Sequence, residues 1–425
     1  RDLRLRDHPA LLAALADGDV LPLFVADPRF AAGGAPRHAL LYDCLAALDA
    51  STGGALVVRH GDPADEVPAL AEEIGADTVY VSRDAGPYGR ERDAAVADAL
   101  RGADRRLRGV GSPYAVTPGT ITKDDGDPYA VFTPFSKRWR AHGWDEPDEA
   151  PRSPNWIEVP SDGLPDRPET GIEIPASSED AVLARWRTFR DSGLADYDTR
   201  RDLPGLDGTS RLSPWLKYGV IHPRQLLAET DDGDEGHRVF RSELAWRDFY
   251  ADVLFHRPGS AWNNLDRRFD AIELDTGRSA DEKFARWRDG TTGFPIVDAG
   301  MRQLASTGWM HNRVRMIVAS FLVKDLHLPW WSGARHFLDH LLDGDLASNN
   351  HGWQWAAGTG TDAAPYFRVF NPTAQGERWD PDGSYVGRWI PELGTGAYPE
   401  PMVDHAAERR VALERYEAVK AVPRT

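Results

Sequence analysis

All 15 tryptophans of this 425-residue chain lie at or beyond Trp139. A single uniform core would draw its largest apolar side chains from the whole length, so two parts with different cores are expected. The tryptophan-free part reads as short apolar runs at 20–26, 55–60 and 78–82. Alanine-rich helical stretches at 9–15, 40–48 and 93–100 separate them. Strands alternating with helices predict an α/β domain over residues 1–116, a parallel sheet covered by helices. Residues 117–178 are rich in Pro, Asp and Gly and predict a connecting segment. From residue 179 a helical period dominates, as at 179–189, 237–255 and 295–304, with a looped stretch at 393–401 and a polar helix at 404–419. The expected remainder is a larger all-α domain over 179–425. No internal repeat is visible.

The net charge of −17 by itself argues against nucleic acid as partner. The basic residues are 44 Arg against 6 Lys, and acids crowd stretches such as 231–235. Such a composition suits a salt-rich cytoplasm, where screening has removed long-range repulsion and carboxylates hold hydration. A halophilic source, such as a halophilic archaeon, is the expectation, although GC-rich coding also raises Arg over Lys. In high salt, DNA affinity would have to lean on stacking and pocket contacts, because counterion release is penalised there. Cys44, the single cysteine, excludes internal disulfides and cysteine-built zinc or iron–sulfur sites. With no membrane-length apolar run and no signal peptide, a cytoplasmic protein is expected. Separately, no membrane and no obligate protein partner are expected, and a monomer.

Four segments carry chemistry. Residues 341–370, LLDGDLASNNHGWQWAAGTGTDAAPYFRVF, mix acids, adjacent amides, His, Arg and two tryptophans, too polar and too aromatic at once for ordinary core. Residues 307–331, TGWMHNRVRMIVASFLVKDLHLPWW, repeat that mixture. Residues 208–225, GTSRLSPWLKYGVIHPRQ, place hydroxyls, an Arg and free amides before a helix opening at Pro214, a natural seat for phosphate. Residues 241–258 put Glu243, Trp246, Arg247 and Tyr250 on one helical face. Taken singly, each has a plainer reading. Ser213 could be an N-cap, Asn349–Asn350 a turn or cap, the 241–258 face an ion-paired helix surface, and any one tryptophan a packing residue. His336 and His340 are four apart, but with no third ligand nearby they read as a solvated helix face rather than a metal site.

Together the four segments resemble the photolyase/cryptochrome family, and within it the class I cyclobutane pyrimidine dimer photolyases, over nearly the whole chain. The resemblance implies non-covalent FAD. Thr209, Ser210, Arg211, Leu212 and Ser213 would hold its diphosphate, with Tyr197, Arg247 and Asn312 nearby. Arg315 and Asp343 would form an ion pair at the isoalloxazine, where the Arg neutralises reduced flavin and the Asp keeps that Arg from being an unpaired charge. Asp345 would contact the ring or ribose, and Asn349 would face flavin N5.

It also implies UV-damaged DNA as partner. A pyrimidine dimer must leave the duplex to reach a buried flavin, and photolyases are among the base-flipping enzymes. Glu243 would hydrogen-bond the dimer, best if protonated in an apolar pocket. Trp246 and Trp355 would wall it, Met316 would lie beneath it, and Asn312 would contact it. Arg201, Arg313, Arg368 and Arg378 would hold phosphates. Where the (6-4) branch uses a pair of histidines, this chain has Trp309–Met316, which favours cyclobutane dimers.

Three further expectations follow from the resemblance. Photoreduction would run through Trp353 and Trp330, but Leu274 stands where the surface tryptophan is usual, with Trp262, Trp287 and Trp331 as substitutes. The 81–93 segment, with Tyr88 and Gly89 where folate binders have Asn–Glu, favours an 8-hydroxy-5-deazaflavin antenna over methenyltetrahydrofolate. A first strand ahead of residue 1 is expected to be missing from the sequence. The rivals are a cryptochrome-like photoreceptor on the same fold and a non-enzymatic single-strand DNA-binding protein built on stacking aromatics.

Overall fold

A computed structural model describes residues 1–31, 33–362 and 368–420. Among the described residues, the α/β part holds four short strands. β1 (Leu23–Ala26) pairs in parallel with β2 (Val57–His60), Leu23 opposite Val57, across the helix Ala35–Ser51. β3 (Thr78–Val81) pairs in parallel with β4 (Arg106–Gly109), Thr78 opposite Arg106, across the helix Pro87–Gly102. The expected parallel sheet is thus present as two strand pairs, which no ladder joins among the described residues. β4, with sequence RLRG, escapes a search for apolar runs. Its arginines face outward and only Leu107 joins the small core of Ala71, Val96 and Leu100.

The connecting segment is more ordered than its composition suggests. It contains a helix, Phe132–His142, whose Phe132, Phe135 and Trp139 are buried in the helical part. Pro134 sits in the first turn, where its missing N–H costs nothing. Further on, Val20 exchanges backbone hydrogen bonds with Asn155 and Ile157, so the segment forms an isolated parallel bridge just ahead of β1.

Two large apolar clusters fill the helical part among the described residues. One gathers Phe135, Trp139, Trp186, Phe240 and Phe249. The other gathers Trp287, Phe321, Trp330, Phe337 and Trp353. Four helices position the candidate site, namely Glu235–His256, Asn312–Lys324, Trp330–His340 and Leu346–Ala357. Their starts are set by side chains that satisfy free amides. Asp234 accepts from Gly236 and His237, His311 from Arg313, and Asp345 from Ser348. Residues 1–8 also dock on this part. Arg4 donates to the Gly219 carbonyl at 3.0 Å, and buried Asp7 takes Arg224 and, at 2.9 Å, His222.

Burial also sets a pH dependence. His351 is fully buried between the Ala347 carbonyl and the Ser260 hydroxyl, and burial pushes its imidazole down to about 4. The unfolded chain therefore takes up a proton near pH 6.5 that the folded chain refuses, so stability falls as pH drops from 6.5 to 4. This one group contributes at most about 3 kcal/mol across that window. His351→Gln should flatten the slope of unfolding free energy against pH between 6.5 and 4 by one proton, read by urea denaturation at several pH values. An unchanged slope would count against the assignment.

Candidate active site

The first half of the site forms around the buried Asp343. Arg315, on the first turn of Asn312–Lys324, donates from Nη2 to Asp343 Oδ2 at 2.8 Å. Ser213 Oγ donates to the same oxygen at 2.6 Å. Ser213 is therefore not the cap that its position suggests, and the short helix Ser213–Tyr218 has no side-chain cap bond. Asp343 Oδ1 is buried without a partner among the described residues. Lys217 donates to the Gly344 carbonyl between the two acids, and burial, with Arg37 and Arg1 nearby, pushes its amine down to about 7. Asp345 caps the Leu346–Ala357 helix through Ser348 N at 3.0 Å and ion-pairs with Arg1 at 2.7 Å. Burial pushes its carboxyl up, but Arg1, Lys217 and Arg247 outweigh that and hold it well below the usual range.

Asn349 gives both amide protons to protein acceptors, the Ala334 carbonyl at 3.0 Å and Asn350 Oδ1 at 2.8 Å. A flip would set oxygen against oxygen, so the side-chain oxygen is the atom left to meet a ligand.

The 208–213 loop lies close to the Tyr197–Arg200 helix. A Cβ at Gly208 would fall 2.7 Å from the Arg200 carbonyl oxygen, so only glycine fits there. Ser210 accepts from Arg185 Nε at 2.9 Å through its carbonyl. Arg211 has a left-handed φ of 51°, which costs on the order of 1 kcal/mol for a non-glycine residue. Its guanidinium lies 4.6 Å over the Trp309 ring and pairs with Asp207 at 3.1 Å, while its Nε is buried without a partner among the described residues. Leu212 is buried and Thr209 partly so. An unsatisfied buried polar atom costs about 1–3 kcal/mol, so a donor at Arg211 and an acceptor at Asp343 left open together mark a seat for a polar ligand. A dinucleotide with an anionic diphosphate and a hydrogen-bonding ring fits that pair of needs. Tyr197 packs its ring on Phe189 and Phe240. Arg247 donates to the Pro113 and Leu216 carbonyls at 2.8 and 2.9 Å, so it acts here by tying segments together.

The second half is a charged relay that collects residues distant in sequence. Arg201 donates to Glu243 Oε1 at 2.5 Å, and its Nε lies 4.0 Å from Asp202. Asp202 takes Arg313 Nη2 at 2.6 Å, and Arg313 Nη1 lies 3.9 Å from Met316 Sδ. Arg313 and Arg378 both lie over the Trp379 ring, at 4.4 and 4.5 Å. The apolar pocket expected around Glu243 is not observed. Its side chain is 33% exposed and paired with Arg201, because the 197–201 turn delivers a cation beside it.

Trp246 stacks on Phe132 at 3.7 Å and 9° and touches Tyr250, which stacks on His351. Trp355 is half-buried one turn beyond His351, and Asn312 is exposed. Arg368 is exposed while its carbonyl accepts from Lys324 Nζ at 2.9 Å. Sequence reasoning missed Phe132 and Trp379. The signal for Trp379 was its place beside Arg378. Trp379→Ala should loosen both arginines and weaken DNA binding uniformly across sequences, read as a fall in affinity at low salt. An affinity equal to wild type would deny Trp379 that role.

Trp353 and Trp330 are both buried in one cluster. Gly333, on the helix that begins at Trp330, lies flat against the Trp353 ring, where a Cβ would stand 2.1 Å from it.

Two family models match this chain. The DNA photolyase domain covers residues 1–154, and the FAD binding domain of DNA photolyase covers residues 240–397. The deoxyribodipyrimidine photo-lyase of Streptomyces griseus is 42% identical over 97% of each chain. The chain belongs to the DNA photolyase family. Its fold agrees with this. A bacterial class III photolyase from Agrobacterium tumefaciens superposes with a TM-score of 0.91 at 38% identity, covering 99% of this chain and 96% of that one. The cryptochrome of Synechocystis superposes with a TM-score of 0.88 at 28% identity, covering 97% of each. The photolyase FAD-binding domain spans Glu243, Arg315, Asp343 and Asn349, so both halves of the site draw on it. No helix among the described residues is long and apolar enough to cross a membrane.

Proposed function

We propose that this chain is a light-driven DNA repair lyase that splits cyclobutane pyrimidine dimers. The observation that carries the reading is the Arg315–Asp343–Ser213 cluster, with open polar atoms at Asp343 and Arg211, on the same helix start as the Arg313 relay to Glu243. FAD held there supplies, when reduced and excited, the electron that opens the dimer and takes it back, with no net redox change. The chain supplies position and electrostatics. Arg315 balances negative charge at the ring, and Asp343 and Ser213 hold that guanidinium in place. Arg211, Ser210 and Thr209 offer donors to the diphosphate. The Asn349 oxygen, an acceptor, suits an N–H at flavin N5 and offers no proton. Glu243 and Trp246 receive the flipped dimer, with Trp355 and Met316 completing the walls. Arg201, Arg313, Arg368 and Arg378 bind flanking phosphates, so that contacts within a pocket compensate for the net negative charge.

The 81–93 segment supports an antenna site in the α/β part. Tyr88 bonds Asp27, meets the Phe30 edge at 4.5 Å and lies under Arg29. The absorption of the chromophore released on denaturation decides between 8-hydroxy-5-deazaflavin and methenyltetrahydrofolate.

The test of function is repair of a dimer-containing oligonucleotide by chemically reduced protein under blue light. Repair is expected. Bound reduced flavin with no repair would favour a cryptochrome-like sensor, and a colourless protein with no preference for irradiated DNA would favour plain single-strand binding.

A further inference from the structure

The proposed tryptophan wire reaches Trp330 and then meets Leu274, which cannot be oxidised. Leu274 lines a surface cavity together with Trp330, Trp331, Ala412 and Tyr416. Trp331 is 46% exposed, and its ring stands 5.9 Å from that of Trp330, edge to face at 79°. Pro329 caps the helix on which both rings begin, which fixes their relation.

We infer that Trp331 is the surface end of the wire in this chain, supplying from the next residue along the helix the oxidisable ring that Leu274 lacks. This rests on the proposed reading of Trp353 and Trp330 as its inner members. Three other rings nearby among the described residues, Trp287, Trp262 and Tyr416, fail on one requirement each. Trp287 lies 6.0 Å from Trp353, but it is fully buried and its indole N–H donates to the Val318 carbonyl at 3.1 Å, so an oxidised Trp287 has no water to take its proton. Trp262 is 61% exposed, but it has no ring contact with Trp330 or Trp353 among the described residues. Tyr416 is buried with its hydroxyl on the Ala357 carbonyl. Among the described residues, only Trp331 combines a ring contact with Trp330 and access to solvent.

One electron passes inward to the photoexcited oxidised flavin, Trp353 is refilled from Trp330, and Trp330 from Trp331. Oxidised Trp331 loses its indole proton to water, which traps the charge at the surface. A soluble thiol then returns one electron and one proton to Trp331, the thiol being oxidised.

The flavin-loaded protein in its oxidised state is excited in blue light without DNA, and radicals are followed by transient absorption and electron paramagnetic resonance. Wild type should show a long-lived neutral tryptophan radical whose formation slows in heavy water. Trp331→Phe should lose that signal, and Trp331→Tyr should replace it with a tyrosyl radical, a signature that a packing role would not produce. Leu274→Trp in the Trp331→Phe background should restore the tryptophan radical. A wild-type signal in Trp331→Phe overturns the inference, as does loss of the signal in Trp262→Phe or its absence from wild type. If repair by chemically reduced protein persists through such a result, the failure lies with this inference and not with the proposed function.

Discussion

Asp343→Ala should purify with little flavin and unfold more easily than wild type. Two groups, Arg315 Nη2 and Ser213 Oγ, donate to one buried oxygen of this residue, from segments 28 and 130 positions away. Removing one partner of a buried pair strands the other charge. About 3 kcal/mol is expected, the low end of the usual range because Arg315 stays a quarter exposed. The same loss, if it appears in flavin binding, is roughly a hundredfold in affinity. Asp343→Asn keeps an acceptor for Ser213 and should fall between the two. The measurements are the flavin-to-protein absorbance ratio after gel filtration and the urea midpoint. Wild-type flavin content in Asp343→Ala would remove the cluster from the flavin site.

Glu243→Ala and Trp246→Ala should each abolish most repair by chemically reduced protein while leaving undamaged duplex binding nearly unaltered. Loss of stacking on one base costs about 1–3 kcal/mol, and loss of a charge-assisted hydrogen bond costs a similar amount. Each variant should therefore bind dimer-containing DNA roughly ten- to a hundredfold more weakly. Glu243→Ala also frees Arg201 from its 2.5 Å partner, so its residual binding should be the more salt-sensitive of the two. Fluorescence anisotropy with damaged and undamaged oligonucleotides separates these effects. Repair at the wild-type rate in both variants would refute the lesion-pocket assignment.

Much of this protein was legible in the order of its residues. Local rules suffice for features that neighbours along the chain decide. The alternation of strands and helices before residue 116, the helical period after 179 and the capping residue Asp234 are of this kind. The 208–213, 241–258, 307–331 and 341–370 segments could be singled out because their mixture of residue types is improbable in core or in surface. Tertiary structure decided where side chains point and what they meet, since those partners lie far away in sequence. Ser213 turns to Asp343 and not to its own helix, and Glu243 meets Arg201 and not an apolar wall. Trp379 gathers Arg313 and Arg378, and Phe132 from the connecting segment backs Trp246. β4 exists only because β3 offers it a ladder, and Trp331 differs from 14 other tryptophans only by standing half in water against Trp330. Periodicity and composition report a residue's own preference, whereas a site depends on which preferences the folded chain brings within hydrogen-bonding distance.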